Sequence, residues 1–181
     1  MSFEHLNDDT IKEILMIQDR LKVMETKNKS KESFLDYVKH VWPEFVEGEH
    51  HRLFASKLEA VAQGKIKRLI VNMPPRHTKS EFASVFFPSW FMGLKPNTKI
   101  MQTTHTAELS VRFGRKVRNL MDQNEYKQIF DNVGLSADSK SAGRWETDKG
   151  GEYFAAGVGG AITGRGADLL LSLIHISEPT R

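Results

Sequence analysis

Lys79 and Ser80 are the neighbours in this 181-residue chain whose types and setting point most directly to chemistry. They lie in the stretch RLIVNMPPRHTKSEFAS, from Arg68 to Ser84. An ammonium and a hydroxyl reached through a tight loop and followed by a helix are the parts of a phosphate-binding loop. Backbone N–H groups and the helix N-terminus cradle phosphate oxygens there. The lysine reaches the β- and γ-phosphates, and the hydroxyl after it ligates Mg²⁺. The candidate nucleotide-binding residues are Pro74, Pro75, Arg76, His77, Thr78, Lys79, Ser80 and Glu81, with Ser80 the candidate metal ligand. Arg76 puts a guanidinium where charge builds on a γ-phosphate. Its alternative is a salt bridge to a neighbouring carboxylate. Glu81 reads as a first-turn partner of the helix dipole. Against the pattern G-x-x-x-x-G-K-[ST], Met73 stands at the first glycine and Thr78 at the second. A β-branched residue disfavours φ > 0. The reading therefore rests on strand, loop, Lys-Ser and helix taken together, and its rival is a strand-turn-helix whose Lys79 and Ser80 are merely solvated.

Positioning these side chains falls first to Leu69-Ile70-Val71, which reads as a buried central strand. After the loop, Phe82, Val85, Phe86 and Phe87 predict a packed helix that Pro88 kinks or ends; Trp90 and Phe91 read as core. Upstream, Asn7-Asp8-Asp9-Thr10 opens a helix with Ile11, Ile14, Leu15, Ile17, Leu21 and Met24 at helical spacing. It is either a docking helix or an arm that meets a neighbouring subunit or partner. Ser30 is expected to cap a second helix, ended by Trp42-Pro43. A third runs from Glu49 to Gln63, with Leu53, Phe54, Leu58 and Val61 inward and Gly64 as its stop. Downstream come a strand at Thr98–Thr104 and a helix at Ala107–Met121. Leu109, Phe113, Val117 and Leu120 point inward on that helix, and Arg112, Arg115, Lys116 and Arg118 lie on its other face. Asn124–Phe130 continues helically, and a polar loop spans Asp131–Ala142. Trp145-Glu146-Thr147 and Tyr153-Phe154-Ala155 flank a hairpin turn at Asp148–Gly151. Gly157–Asp168 is dense in glycine, which marks close backbone approach or a mobile loop.

Composition sets outer limits. Hydrophobic content of 39% and charged content of 27% describe a globular chain. A net charge of +3 with pI about 9.1 is compatible with nucleic acid without demonstrating it. There is no cysteine, which excludes disulfides and cysteine-held zinc. No apolar run approaches the roughly 20 residues of a membrane helix, and the N-terminus lacks a signal-peptide layout.

The segment NMPPRHTKSE resembles the adenosine-triphosphate-binding loop of tailed-phage terminase large subunits, many of which carry Pro-Pro-Arg-His-Gly-Lys-Ser. Thr78 departs from that pattern; Met73 does not. In that family a Trp-Pro segment and a His-bearing helix precede the loop and border the adenine, which would put Phe45, His50 or His51 near the base. A strand ending Thr-Thr-His-Thr before a basic helix resembles the block of terminase and helicase-like motors that faces DNA. Thr163-Gly164-Arg165-Gly166-Ala167-Asp168 resembles the segment before the metal-binding strand, where an arginine acts on a neighbouring subunit's γ-phosphate; the resemblance gives that role to Arg165.

The resemblance covers about residues 30 to 170. It implies an α/β fold, part of a three-layer α/β/α P-loop NTPase domain, preceded by N-terminal helices. It implies an ATPase using ATP and Mg²⁺, with Lys79, Arg76 and Arg165 catalytic and a nuclease domain farther downstream. The implied cargo is double-stranded DNA, and the implied partners are a small terminase subunit, a portal protein and further copies in a ring. Such a phage or prophage protein works in the host cytoplasm, off the membrane. The expected organisation is a helical arm at 1–29, a partial motor domain at 30–170 and a tail at 171–181. The family continues with an aliphatic strand ending in consecutive acids. Here the chain reads LSLIHISEPTR from Leu171; Glu178 arrives only after His175 and Ser177, and Asp168 precedes the strand. That tail resembles translated sequencing-adapter DNA and is expected to be non-native. A chain without those acids is expected to bind nucleotide and hydrolyse it poorly. Two other readings stay open: a different P-loop translocase or helicase, and a non-hydrolysing nucleic-acid-binding domain.

Overall fold

The apolar spacing that predicts alternating helices and strands yields a mixed α/β architecture with an open four-stranded sheet. The computed structural model describes residues 8–137, 141–160, 162 and 164–173. Helix α1 spans Asp8–Glu32, α2 Phe34–Val41 and α3 Glu49–Ala62. A continuous helical stretch follows the loop: α4 Lys79–Glu81, a π-helical segment Phe82–Phe86, and α5 Phe87–Leu94. Strand β1 (Lys99–Thr104), α6 (Ala107–Asp122) and α7 (Asn124–Ile129) come next. Then come β2 (Arg144–Glu146), β3 (Glu152–Gly157) and β4 (Leu169–Leu173).

The sheet order is β2-β3-β1-β4. β1 runs parallel to both β3 and β4, and β2 pairs antiparallel with β3 in the expected hairpin. Trp145 and Tyr153 stand opposite each other in that hairpin and stack at 4.9 Å, both fully buried. Helix α6 returns the chain from β1 across the sheet and packs on β1 and β3. Gly157 is needed where β3 ends against the start of α6: a Cβ there would sit 2.5 Å from the Ala107 backbone nitrogen.

Three expectations are corrected, and at Pro88 one of two alternatives is excluded. Leu69–Val71 belongs to no strand. An apolar run becomes a strand only when its N–H and C=O groups find a ladder. Here β4 pairs only with β1 among the described residues, and the run and β4 together line an open cleft of about 1290 Å³. Ile70 is accordingly 88% exposed. Ser30 does not cap α2. It is buried near the end of α1, and Ser33 is the cap, accepting from Asp36 N–H at 3.2 Å. Leu53 points outward, because the buried stripe of α3 is His51, Phe54, Ala55, Leu58 and Ala62. Pro88 does not end its helix. A proline has no N–H and collides with the carbonyl four residues back. The π turn just before it widens the helix there, with Phe87 N–H donating to Phe82 O.

Leu15, Ile17, Leu21 and Met24 of α1 are each more than half exposed, so its apolar stripe lies in solvent. The carboxyl end of α1 is fixed to the body. Trp90 Nε1 donates to Ser30 O at 2.9 Å, and Lys27 pairs with Asp131 at 2.7 Å.

Among the described residues, β4 has no strand on its outer side, and Leu170 on it is 62% exposed. A bare apolar edge is a template for further strands. Leu170→Lys is expected to lower self-association in sedimentation velocity at raised concentration while the circular dichroism stays unchanged. Equal association of variant and parent would remove the edge as the cause.

Candidate functional site

The loop before α4 is built from constrained backbone. Pro74 and Pro75 fix φ and supply no N–H. Arg76 and Thr78 both adopt left-handed conformations, at φ 64° and 57°. Such residues cost about 1–3 kcal/mol each when they are not glycine and persist where their surroundings over-determine them. Left-handed residues beside helical ones turn successive N–H groups toward one concavity. Lys79 opens the helix and folds back over the loop, its Nζ donating to Met73 O at 3.2 Å. The ammonium thus spans the loop from the first residue of α4 to the position where the sequence pattern begins. Ser80 stands beside it, half-buried, and its hydroxyl has no hydrogen-bond partner among the described residues.

The other candidates divide. Glu81 forms an ion pair with Lys116 of α6, so one cation of the basic helix face is already committed to the loop helix. Arg112 and Arg115 of that face are exposed. Arg76 is exposed at the rim of the loop. Pro75 O accepts from His77 Nδ1 at 2.8 Å, tightening the turn. Arg165 is not brought to Lys79. It lies at the amino ends of the parallel strands, 3.2 Å from Glu152 Oε1 and with its guanidinium 4.2 Å from the centre of the Phe154 ring. Asp168 also lies at that end, its Oδ2 accepting from Lys99 N–H at 2.8 Å. Thr163, His175, Ser177 and Glu178 fall outside the described residues, as do 174–181 generally.

His50 and His51 reach the loop from α3. Their rings are 3.8 Å apart, and His50 is 5.7 Å from His77. His51 is 5% exposed and packs edge-on to Phe45 at 4.8 Å and flat against Phe82 at 5.1 Å. Its Nδ1 accepts from Gly48 N–H at 2.9 Å, and its Nε2 lies 2.6 Å from Thr78 Oγ1. Both ring nitrogens are therefore occupied within the protein. This contact between α3 and the loop was not visible in sequence. Its one signal is the hydroxyl of Thr78 standing where glycine is usual.

Burial lowers the His51 pKa below the ordinary imidazole value, and the neighbouring His50 adds to it. The folded state then binds its proton less readily than the unfolded state. The stability this gives is present above about pH 6.5 and is lost as pH falls through the depressed folded value. Urea unfolding at pH 7.5 and pH 5.5 is expected to show the drop, and His51→Phe to reduce it. An equal drop in parent and variant would exclude His51 as the source.

Among the described residues, no group of three or more His, Asp or Glu side chains could by itself hold a metal ion. The one hydroxyl of Ser80 suits a cation that takes most of its oxygens from phosphate and water, which is how Mg²⁺ is commonly bound. No helix of the described residues is long and apolar enough to cross a membrane. No protein-family model matches the chain, and neither a curated protein nor a solved structure matches it.

Proposed function

We propose that residues 73–81 form a nucleoside-triphosphate site and that the chain is part of an ATP-driven DNA motor of the terminase large-subunit kind. The observation that carries the reading is Lys79. It stands at the first turn of a helical stretch running unbroken to Leu94, behind a loop with two left-handed non-glycine residues, and its ammonium lies across that loop. Backbone N–H groups of the loop and first turn would hold phosphate oxygens, and Lys79 would neutralise them. Ser80 would ligate Mg²⁺, which when bound neutralises charge on the β- and γ-phosphates. Arg76, exposed at the loop's rim, would meet the γ-phosphate. Arg165, remote from Lys79 within one chain, would act on the site of a neighbouring copy in a ring.

The parallel pairing of β1 with β3 and β4, crossed by α6, is compatible with an α/β domain, of which a three-layer α/β/α P-loop fold would be the finer description. Lys65, Lys67, Arg68, Arg112 and Arg115 are exposed and supply positive charge for double-stranded DNA. A portal protein and a small terminase subunit are the partners that this reading brings, in the cytoplasm of a phage-infected or lysogenic host. Titration of the chain with a fluorescent, non-hydrolysable ATP analogue and Mg²⁺ tests the site. Saturable binding displaced by ATP is expected, with turnover far below that of a working motor. Absence of displaceable binding would leave a nucleic-acid-binding domain as the better reading.

A further inference from the structure

Resting on the nucleotide-site reading, we propose that His51 is a positioning residue for the phosphate loop: it latches the Thr78 hydroxyl and holds Thr78 in the left-handed conformation that the loop requires. The direction of each hydrogen bond follows from the geometry. Gly48 N–H donates to His51 Nδ1, so that nitrogen carries no proton and the neutral ring bears its proton on Nε2. Nε2–H then donates to Thr78 Oγ1 at 2.6 Å, and Oγ1 donates in turn to His77 O at 2.7 Å. The relay ties α3 to the loop through one hydroxyl.

The ring cannot easily swing away, because Phe45 and Phe82 hold two of its sides. A glycine at position 78 would reach φ 57° without strain but would offer no atom for His51 to hold. Threonine accepts the strain and gains the tether. Thr78 is also the residue immediately before Lys79, so its φ and ψ aim the first turn of the helix and the lysine with it. Protonation would place a second N–H on Nδ1, facing the Gly48 N–H, and remove the bond that fixes the ring to the start of α3, while Nε2–H would remain a donor. The charged and titratable groups around the ring are His50 beside it, Glu47 in the segment before α3 and His77 in the loop.

Four forms of the full chain test the latch: the parent, His51→Phe, Thr78→Gly and the double variant. Phenylalanine keeps the packing against Phe45 and Phe82 and removes both ring hydrogen bonds. With the fluorescent ATP analogue and Mg²⁺, His51→Phe is expected to weaken binding about tenfold. Thr78→Gly, free of strain, is expected to bind a few-fold tighter than the parent. Adding His51→Phe to Thr78→Gly is expected to change affinity by less than about twofold, so the two substitutions are strongly non-additive. An equal loss in both backgrounds would make His51 a packing residue and overturn the latch. Amide exchange without nucleotide gives a second readout. His51→Phe should speed exchange at Thr78, Lys79 and Ser80 about tenfold while the centre of α6 is unaffected. Unchanged exchange at the loop would overturn the latch even if no nucleotide bound, whereas failure of all four forms to bind, with loop exchange altered as expected, would sink only the nucleotide reading.

Discussion

Lys79→Ala is expected to weaken binding of Mg²⁺ and ATP by at least about a hundredfold while leaving the melting temperature within about 2 °C of the parent. Hydrogen bonds made by a charged donor contribute about 1.5–3 kcal/mol each, and a lysine between two phosphates makes more than one. Every 1.4 kcal/mol is a factor of ten, so a hundredfold loss is the lower end of the expectation. The fold should tolerate the change. Lys79 is partly buried in the first turn, and its side-chain hydrogen bond goes to a single loop carbonyl, that of Met73. Alanine is also a good helix former. Lys65→Ala, remote from the loop in sequence and exposed, controls for loss of general positive charge. Titration calorimetry on the three proteins decides the matter. A Lys79→Ala variant that binds like the parent would remove the phosphate-loop reading and promote a domain whose Lys79 and Ser80 are solvated.

The parts of the fold legible in sequence are those whose signal is local. The Asp148–Gly151 turn between two aromatic strands, the periodic apolar face of α6 and the Gly64 stop all depend on neighbours within a few residues. All three are present. Leu69–Val71 fails for the opposite reason. Its composition is right for a buried strand, but whether it becomes one depends on a ladder partner elsewhere in the chain, and among the described residues none lies beside it. Leu53 fails because α3 has apolar residues on two faces, and the choice between them is made by Phe82 and its neighbours rather than by α3 itself. At the candidate site, Lys79 and Ser80 at the start of a helix behind a tight loop were legible from context, whereas the strand expected before that loop is not formed. The Thr78 departure was legible as an anomaly but not as a contact, since no one-dimensional rule joins Thr78 to a histidine 27 residues earlier.

Phe82 joins the core to the loop, and its removal is expected to be the most destabilising single change considered. The side chain is fully buried. Its ring lies 5.6 Å from Phe34, 5.4 Å from Phe45 and 5.9 Å from Phe54, with His51 stacked on it at 5.1 Å. It therefore touches α2, the segment before α3 and α3 itself, from the first residue of the π-helical turn. Phe82→Ala is expected to cost about 3–5 kcal/mol, because the surrounding rings cannot all close on the void. For a chain of this size that is a melting temperature lower by roughly 6–20 °C. The effect should reach the nucleotide site as well, since His51 loses the ring that holds one of its faces and Phe82 is only three residues beyond Lys79 in the same helical stretch. A comparison with Ile129→Ala, which removes another buried side chain of the same core on α7, separates the two consequences. Under conditions where both variants remain folded, Phe82→Ala should lose nucleotide affinity and Ile129→Ala should keep it. Urea unfolding that gives less than about 1 kcal/mol for Phe82→Ala would mean that this aromatic cluster does not hold α2 and α3 to the loop helix. Equal affinity in the two variants would mean that the loop keeps its geometry without the support of that cluster, and the latch at Thr78 would then have to hold it alone.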